Sequence, residues 1–366
     1  MMTKPLNVAT VFSGIGSFEQ ALALEKIEHL VLFACDNGER ELPLEEENRL
    51  VELGTKNGLD VANEEAKKVY QSLRRPNYVK QTYFANYPIS ENCWYEDIRF
   101  IDGKKYLDTI DIFVGGSPCQ SFSMMGKRKG LEDTRGTLFY EYARIISEAR
   151  PKVFIYENVP GMLTHNHGDT WATIKSVFES LGYQLNISVI NAADYGLPQN
   201  RKRLFVIGFK DPCNFLFEEP VKLSKTAADY LEKHIQTRFY LGEKGFKFVT
   251  NPKYIGRARI NRKIIRTQKA NQQFNWNGDF RFEPLSSLSN ETKTRILSRA
   301  YVGEWEGEKG VCRQLTHREC FRLMGYPDSF KIVVPNVQAY RQAGNSIAVN
   351  VMQMIIRSIF ATGVFE

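Results

Sequence analysis

No C-x-x-C pair, no zinc-like grouping of cysteines with histidines and no apolar run of membrane-spanning length occurs anywhere in the 366 residues. The first absence argues against a zinc ribbon or a redox dithiol, since both need closely spaced thiols. The six cysteines stand singly at 35, 93, 119, 213, 312 and 320, and no metal site is expected from them or from the five histidines. The last absence excludes a spanning helix, and the N-terminal MMTKPLNVATVFSG lacks the apolar stretch of a secretory signal, so a cytoplasmic protein with reduced thiols is expected. There are no internal repeats and no low-complexity tract. What remains is an ordinary globular composition, 43% hydrophobic and 25% charged, in a chain long enough for two domains.

The formal charge of +7 is modest, but its distribution is uneven. YIGRARINRKIIRTQK (254–269) carries repeated Lys and Arg and no acid, which fits either a solvated face or a surface that meets phosphates. The first two hundred residues alternate β-rich apolar runs with amphipathic segments, the α/β pattern. LNVATVF, HLVLFACD, IDIFVGG, KVFIYENV and RLFVIGF read as strands, and LFYEYARIISEAR as a helix. A charged, helix-compatible insertion occupies about 40–80, and a more polar, Asn/Gln-rich texture begins near 212. RQLTHRECFRLMGYPDSF predicts a helix opened by a Thr316/Glu319 capping box and stopped by Gly325 and Pro327. The tail NSIAVNVMQMIIRSIF predicts a buried helix returning to the first domain.

Ligands of a parallel sheet collect at the carboxyl ends of its strands. Here the glycine turn at Gly14 and Gly16, the acid Asp36, the thiol Cys119 and the pair Glu157–Asn158 each follow directly after a predicted strand. Four such placements on one sheet edge point to an active site. The glycine turn and the acid twenty-two residues beyond Gly14 suit a ribose-bearing ligand, and a nicotinamide cofactor would fit equally. Glu19 stands where the third glycine of a dinucleotide fingerprint belongs, which argues against that option. Cys119 lies among turn formers in GGSPCQSFS, so its sulfur is expected to be exposed, with Lys127 and Arg203 available to favour a thiolate. In QNRKR the alternation of an extended chain sends Arg201 and Arg203 to opposite sides, one toward the site and one toward backbone.

The chain resembles prokaryotic DNA (cytosine-5)-methyltransferases of the restriction–modification type. VFSGIGSFEQAL, GGSPCQSFS, RGTLFYEYARI, ENVPG, QNRKRLFVIG, RQLTHRECFRLMGYPDSF and RQAGNSIAVNV run in that family's order and span most of the chain outside 40–80 and 212–310. The resemblance implies a Rossmann-like S-adenosylmethionine-dependent domain (1–211 and 338–366) with a smaller target-recognition domain (212–337) inserted before the C-terminal helix. It implies S-adenosyl-L-methionine contacts at Phe12, Gly14, Gly16, Asp36, Asp97, Ile98, Pro118, Leu138, Asn345 and Ser346, with S-adenosyl-L-homocysteine as product and no metal. Cys119, Glu157, Arg203 and Arg201 would be catalytic, and Ser123, Lys127, Arg128, Arg135 and Gln199 would meet DNA. Thr10 stands where an acid is usual in that family, and Ser17 where glycine is frequent.

The chemistry explains the residue types. Cytosine C5 is a poor nucleophile until a thiolate adds at C6; a carboxyl group at N3 and a guanidinium at O2 then stabilise the ring. The base must leave the duplex for this attack, and the basic, glycine-containing stretch 121–135 is expected to close over it. The expected partner is double-stranded DNA, met as a monomer in the bacterial cytoplasm and nucleoid, beside a cognate restriction endonuclease without a stable complex. The alternatives are a tRNA cytosine-5 methyltransferase on the same scaffold, a non-catalytic DNA-binding relative, and a nicotinamide-dependent oxidoreductase. The last leaves P-C-Q and the GNS segment unexplained.

Overall fold

The computed structural model describes residues 4–117 and 138–366. Two compact units emerge: residues 1–190, 202–219 and 351–366 form the first, and 191–201 with 220–350 the second.

The first unit is built on a seven-stranded sheet. Its strands are β1 (Leu6–Val11), β2 (His29–Cys35), β3 (Trp94–Tyr95), β4 (Ile112–Gly115), β5 (Val153–Asn158) and β6 (Gln184–Asn191). After the short β7 (Gln199–Asn200), which lies outside this sheet, β8 (Lys202–Phe209) completes it. The order is β3-β2-β1-β4-β5-β8-β6, so the chain reverses its direction of winding between β1 and β4. In open α/β sheets that switch point opens the ligand crevice. The pairs β1–β2, β1–β4, β2–β3 and β4–β5 are parallel, while β5–β8 is antiparallel. Because β8 runs backwards, its beginning lies beside the end of β5.

Helices α1 (Ser17–Leu24), α5 (Leu138–Ala149), α6 (Asp169–Ser180) and α11 (Val349–Phe360) belong to the expected α/β pattern. The sheet and α5–α6 bury an aromatic-rich core, in which Phe113 stacks on Tyr142 at 4.9 Å and Phe154 lies 4.7 Å from Phe178. From α11, Met352, Met354, Ile355, Ile356 and Ile359 are buried, and Arg357 pairs with Glu25 and Glu218 within the first unit. The insertion is helical, as its composition predicts: α2 (Leu44–Asn57), α3 (Leu59–Ser72) and α4 (Tyr78–Asn86). Leu42, Leu50, Ala62, Ala66, Tyr70 and Phe100 form a small core of their own there.

In the second unit, β9 (Ala258–Ile260), β11 (Gly278–Pro284), β12 (Val302–Trp305) and β13 (Glu308–Gln314) make a sheet of order β12-β13-β11-β9. The short β10 (Ile265–Arg266) pairs with β7. Helices α7 (Glu243–Val249), α8 (Asn290–Ile296), α9 (His317–Arg322) and α10 (Asn336–Asn345) surround them. The capping box opens α9: Thr316 Oγ1 accepts from Glu319 N at 3.1 Å, and a Glu319 carboxylate oxygen accepts from Thr316 N at 2.8 Å. Gly325, at φ +88°, turns the chain after that helix. Both Glu319 oxygens also take the guanidinium of Arg313, at 2.9 and 3.0 Å, in a fully buried fork.

Candidate functional site

Strand register sets the site. Val11 pairs with Cys35, Thr10 with Val114, and Gly115 with Tyr156. One residue further on, Phe12, Asp36, Gly116 and Glu157 therefore stand in a row along the carboxyl edge of the sheet. The fold thus gathers the strand-end residues singled out in the sequence, apart from Cys119. Pro118, Cys119, Ser123, Lys127, Arg128 and Arg135 lie outside the described residues.

At one end of the row the chain passes through three left-handed residues, Phe12 at φ 51°, Gly14 at 54° and Gly16 at 77°. Gly14 needs its lack of a side chain for conformation and leaves open space, since a Cβ there would meet nothing within 4 Å. Its amide donates to Asp36 Oδ2 at 2.9 Å, and Gly38 N donates to Asp36 Oδ1 at 2.8 Å. Burial pushes the Asp36 carboxyl up to about 6, against the pull of the Gly38 and Gly14 amides toward the charged form. Asp97 and the buried Ile98 follow β3, next to β2 in the sheet. Leu138, the first residue of α5, packs half-buried against the same core as Phe12. This is an open, glycine-lined cradle with a half-buried acid and apolar walls, and it suits a nucleoside-bearing ligand such as S-adenosylmethionine.

Thr10, read in the sequence as a missing acid, has a carboxyl beside it. Its hydroxyl lies 2.8 Å from Ser13 Oγ and 3.0 Å from Glu19 Oε1, which also accepts from Tyr83 OH at 2.5 Å. Burial raises the Glu19 pKa, opposed by its bonds from Tyr83 and Thr10. Tyr87 OH donates to Gly16 O at 2.6 Å, and a Cβ at Gly16 would lie 2.2 Å from the Tyr87 ring. The two tyrosine contacts were invisible in the sequence, because they join residues 64 and 71 positions apart.

At the other end of the row Glu157 Oε1 meets Arg203 Nε at 2.9 Å, each side chain 16% exposed. The antiparallel β8 explains the meeting: Asn158 pairs with Leu204, so Arg203 arrives beside the end of β5. Gly116 must be glycine, because a Cβ there would lie 2.5 Å from the Glu157 carbonyl oxygen. Asn158 fastens the two strand ends by donating to Ser117 O and to Tyr156 OH, both at 3.0 Å. The Ser117 and Tyr156 hydroxyls share a 2.8 Å bond. The residue that precedes Pro118-Cys119 is thus anchored to the strand that ends in Glu157.

The remaining expected site residues lie in the second unit. Arg201 is buried and donates to the carbonyls of Gln268 (2.8 Å), Gly344 (3.0 Å) and Ser346 (2.5 Å). The expectation that one of the two arginines meets backbone describes Arg201, and its contacts flank Asn345. Asn345 is exposed at the end of α10, whereas Ser346 is buried with its Oγ 2.6 Å from Tyr326 OH. Gly344 has no room for a side chain, since a Cβ would lie 2.2 Å from the Lys269 backbone. Gln199, expected at DNA, is fully buried: it accepts from Gln268 N at 3.0 Å and donates to Leu323 O at 2.8 Å. Its amide is committed inside the protein and presents nothing to a phosphate or a base. In the basic stretch, Arg257, Arg262, Lys263 and Lys269 are exposed, while Arg266 turns to the Gly256 and Gly278 carbonyls.

The described thiols fit packing roles. Cys35, Cys312 and Cys320 are buried, and desolvation raises all three, Cys312 to about 12. Cys213 is half-buried and also raised by desolvation. Among the described residues no group of His, Cys, Asp and Glu could hold a metal ion, and no helix is long and apolar enough to cross a membrane.

The family model described as C-5 cytosine-specific DNA methylase matches residues 54–361. The type II methyltransferase M.SsoII of Shigella sonnei is 34% identical over 314 residues, covering 84% of this chain and 78% of that protein. M1.ScrFI of Lactococcus lactis subsp. cremoris, also a type II methyltransferase, is 35% identical over 297 residues, covering 80% and 72%. Among solved structures, the Entamoeba histolytica methyltransferase EhMeth superposes with a TM-score of 0.64 at 16% identity, covering 98% of this chain and 99% of that one, a likeness of fold.

Proposed function

Since the chain belongs to the C-5 cytosine-specific DNA methylase family and is a DNA cytosine-5 methyltransferase, we propose the following division of labour among its residues. The thiolate of Cys119 adds to C6 of the target cytosine, forming a carbon–sulfur bond and moving the C5–C6 π electrons toward C5. Glu157 engages N3 and the exocyclic amine, and Arg203 engages O2, where negative charge develops during addition. The family's methyl donor, S-adenosylmethionine, supplies the electrophilic methyl group that C5 takes up. Loss of the C5 proton to a base, with departure of the sulfur, restores the double bond and the free thiolate.

The observation that carries this reading is the row along the sheet edge, with the 2.9 Å Glu157–Arg203 pair at one end and the 2.9 Å Gly14–Asp36 contact at the other. The glycine turn, Asp36, Asp97, Ile98 and Leu138 would hold the donor, with Pro118, Asn345 and Ser346 added from the family pattern. Arg201 acts by positioning, because its guanidinium fixes the carbonyls on either side of Asn345. Site selection on duplex DNA belongs to the second unit, whose exposed arginines and lysines at 257–269 favour phosphates. Action as a monomer beside a cognate endonuclease, in the cytoplasm and on the nucleoid, completes the proposal.

The test is base-resolution 5-methylcytosine sequencing of DNA from a methylation-free host that expresses this chain or its Cys119→Ser variant. Methylation confined to one short motif, absent in the variant, is expected, together with covalent trapping on 5-fluorocytosine DNA by the unaltered protein alone. Full activity in Cys119→Ser would refute the nucleophile assignment.

A further inference from the structure

The insertion takes part in no step above, yet its polar side chains converge on the acids that follow β2 and β3. Asn77, the N-cap of α4, accepts from Lys80 N and donates from Nδ2 to Asp36 O and to Glu96 Oε2, each at 2.8 Å. Arg40 is buried with its guanidinium on Glu96, and it donates to Tyr70 O at 3.0 Å and to Asn37 O at 2.7 Å. Tyr70, from α3, donates its hydroxyl to Asp97 Oδ2 at 3.2 Å. Arg99 holds the same carboxylate at 2.6 Å and reaches Glu47 of α2 at 3.2 Å. The turn after Asp36 is moulded on Asn77: a Cβ at Gly38 would lie 2.3 Å from Asn77 Oδ1, and the Gly38 amide is one of the two donors to the Asp36 carboxylate.

We infer that the helical insertion is a positioning frame for the donor-side acids, in which Asn77, Arg40 and Tyr70 fix Asp36 and Asp97 for the S-adenosyl ligand. The inference rests on the reading of Asp36 and Asp97 as ligand contacts. Charge gives the insertion no pull on DNA, because residues 40–80 carry eight acids and eight bases, and Glu45, Glu46 and Glu47 crowd the first turn of α2. The frame has its own small core, so its polar contacts sit on a rigid element.

Calorimetric binding of S-adenosylhomocysteine without DNA, beside melting temperature, steady-state kinetics and the methylated motif, tests this on Asn77→Ala and Tyr70→Phe. Loss of one or two hydrogen bonds to the positioned acids predicts affinity weakened about tenfold in Asn77→Ala and about threefold in Tyr70→Phe. KM for the donor should rise in parallel, kcat at saturation should move far less, and the methylated motif should stay the same. Tyr70→Phe removes a single oxygen and decides the matter should Asn77→Ala fail to fold. Unchanged affinity in the folded variants, or a changed motif, overturns the frame while leaving the function standing. Failure of the unaltered protein to bind S-adenosylhomocysteine removes both.

Discussion

Two carboxylate–guanidinium pairs in this protein are built from the same groups and serve opposite ends. Glu319 and Arg313 are fully buried and joined through both oxygens, and Glu319 also accepts the Thr316 and Glu232 amides. Glu157 Oε1 and Arg203 Nε meet at 2.9 Å at the sheet edge, each side chain 16% exposed. The first pair has its hydrogen-bonding capacity spent inside the fold, so it fixes structure. The second is partly exposed, as the proposed contact with a target base requires. Burial and hydrogen-bond saturation, rather than residue type, separate the structural pair from the one proposed for chemistry.

Substituting each pair tests that separation. Glu157→Gln keeps size and removes the charge, so turnover should fall about 10²–10⁴-fold, the range for a positioned acid–base group. Its melting temperature should stay close to that of the unaltered protein; a large drop would make Glu157 structural and erase the contrast. Arg313→Met leaves Glu319 buried without its partner, and unfolding free energy should fall by about 3–5 kcal/mol. Denaturant titration measures this, and a loss below about 1 kcal/mol would show that the pair does not fix the structure.

A third carboxyl, Asp36, lies between these extremes, and its pKa near 6 makes the difference titratable. A ribose hydroxyl donates to the charged form, so S-adenosylhomocysteine affinity should fall as pH drops through about 6, by at most about tenfold per unit. The ligand-free stability runs the other way. A folded value raised above 3.8 means the folded state holds the proton more tightly, so this contribution is present at low pH and lost as pH climbs through about 6. Calorimetry across pH 5–8 checks the first trend, and an affinity flat through that window would remove Asp36 as the acceptor. The smallest effect belongs to Thr316→Ala, which deletes a cap from the buried pair's own helix and should cost about 1 kcal/mol.

Much of the first unit could be read in advance because each functional residue follows its strand at once. Turn chemistry at Gly14, Asp36, Gly116 and Glu157 marks the sheet edge without knowledge of the partners. The capping box at Thr316 is equally local, and the structure contains it. What stayed hidden depends on partners far away in the chain. Gln199 reads as a polar residue in a basic motif, and only its bonds to Gln268 and Leu323 reveal that it is spent internally. Arg201 resembles Arg203 in every local respect until residues 268, 344 and 346 surround it. The insertion looked like an appendage because Arg40 and Glu96 are 56 positions apart. Likewise, nothing near Thr10 announces that the neighbouring acid is Glu19, which reads in the sequence only as a break in a glycine fingerprint.

The division of the first unit into three stretches, 1–190, 202–219 and 351–366, has a consequence for how the protein is made. On the ribosome every residue of the second unit, through Asn350, is joined before the last piece of the first. All strands of the small sheet are therefore made before Met352, Met354, Ile355, Ile356 and Ile359, which are buried in the finished fold. A growing chain carries its basic surface early and its finished reaction chamber late.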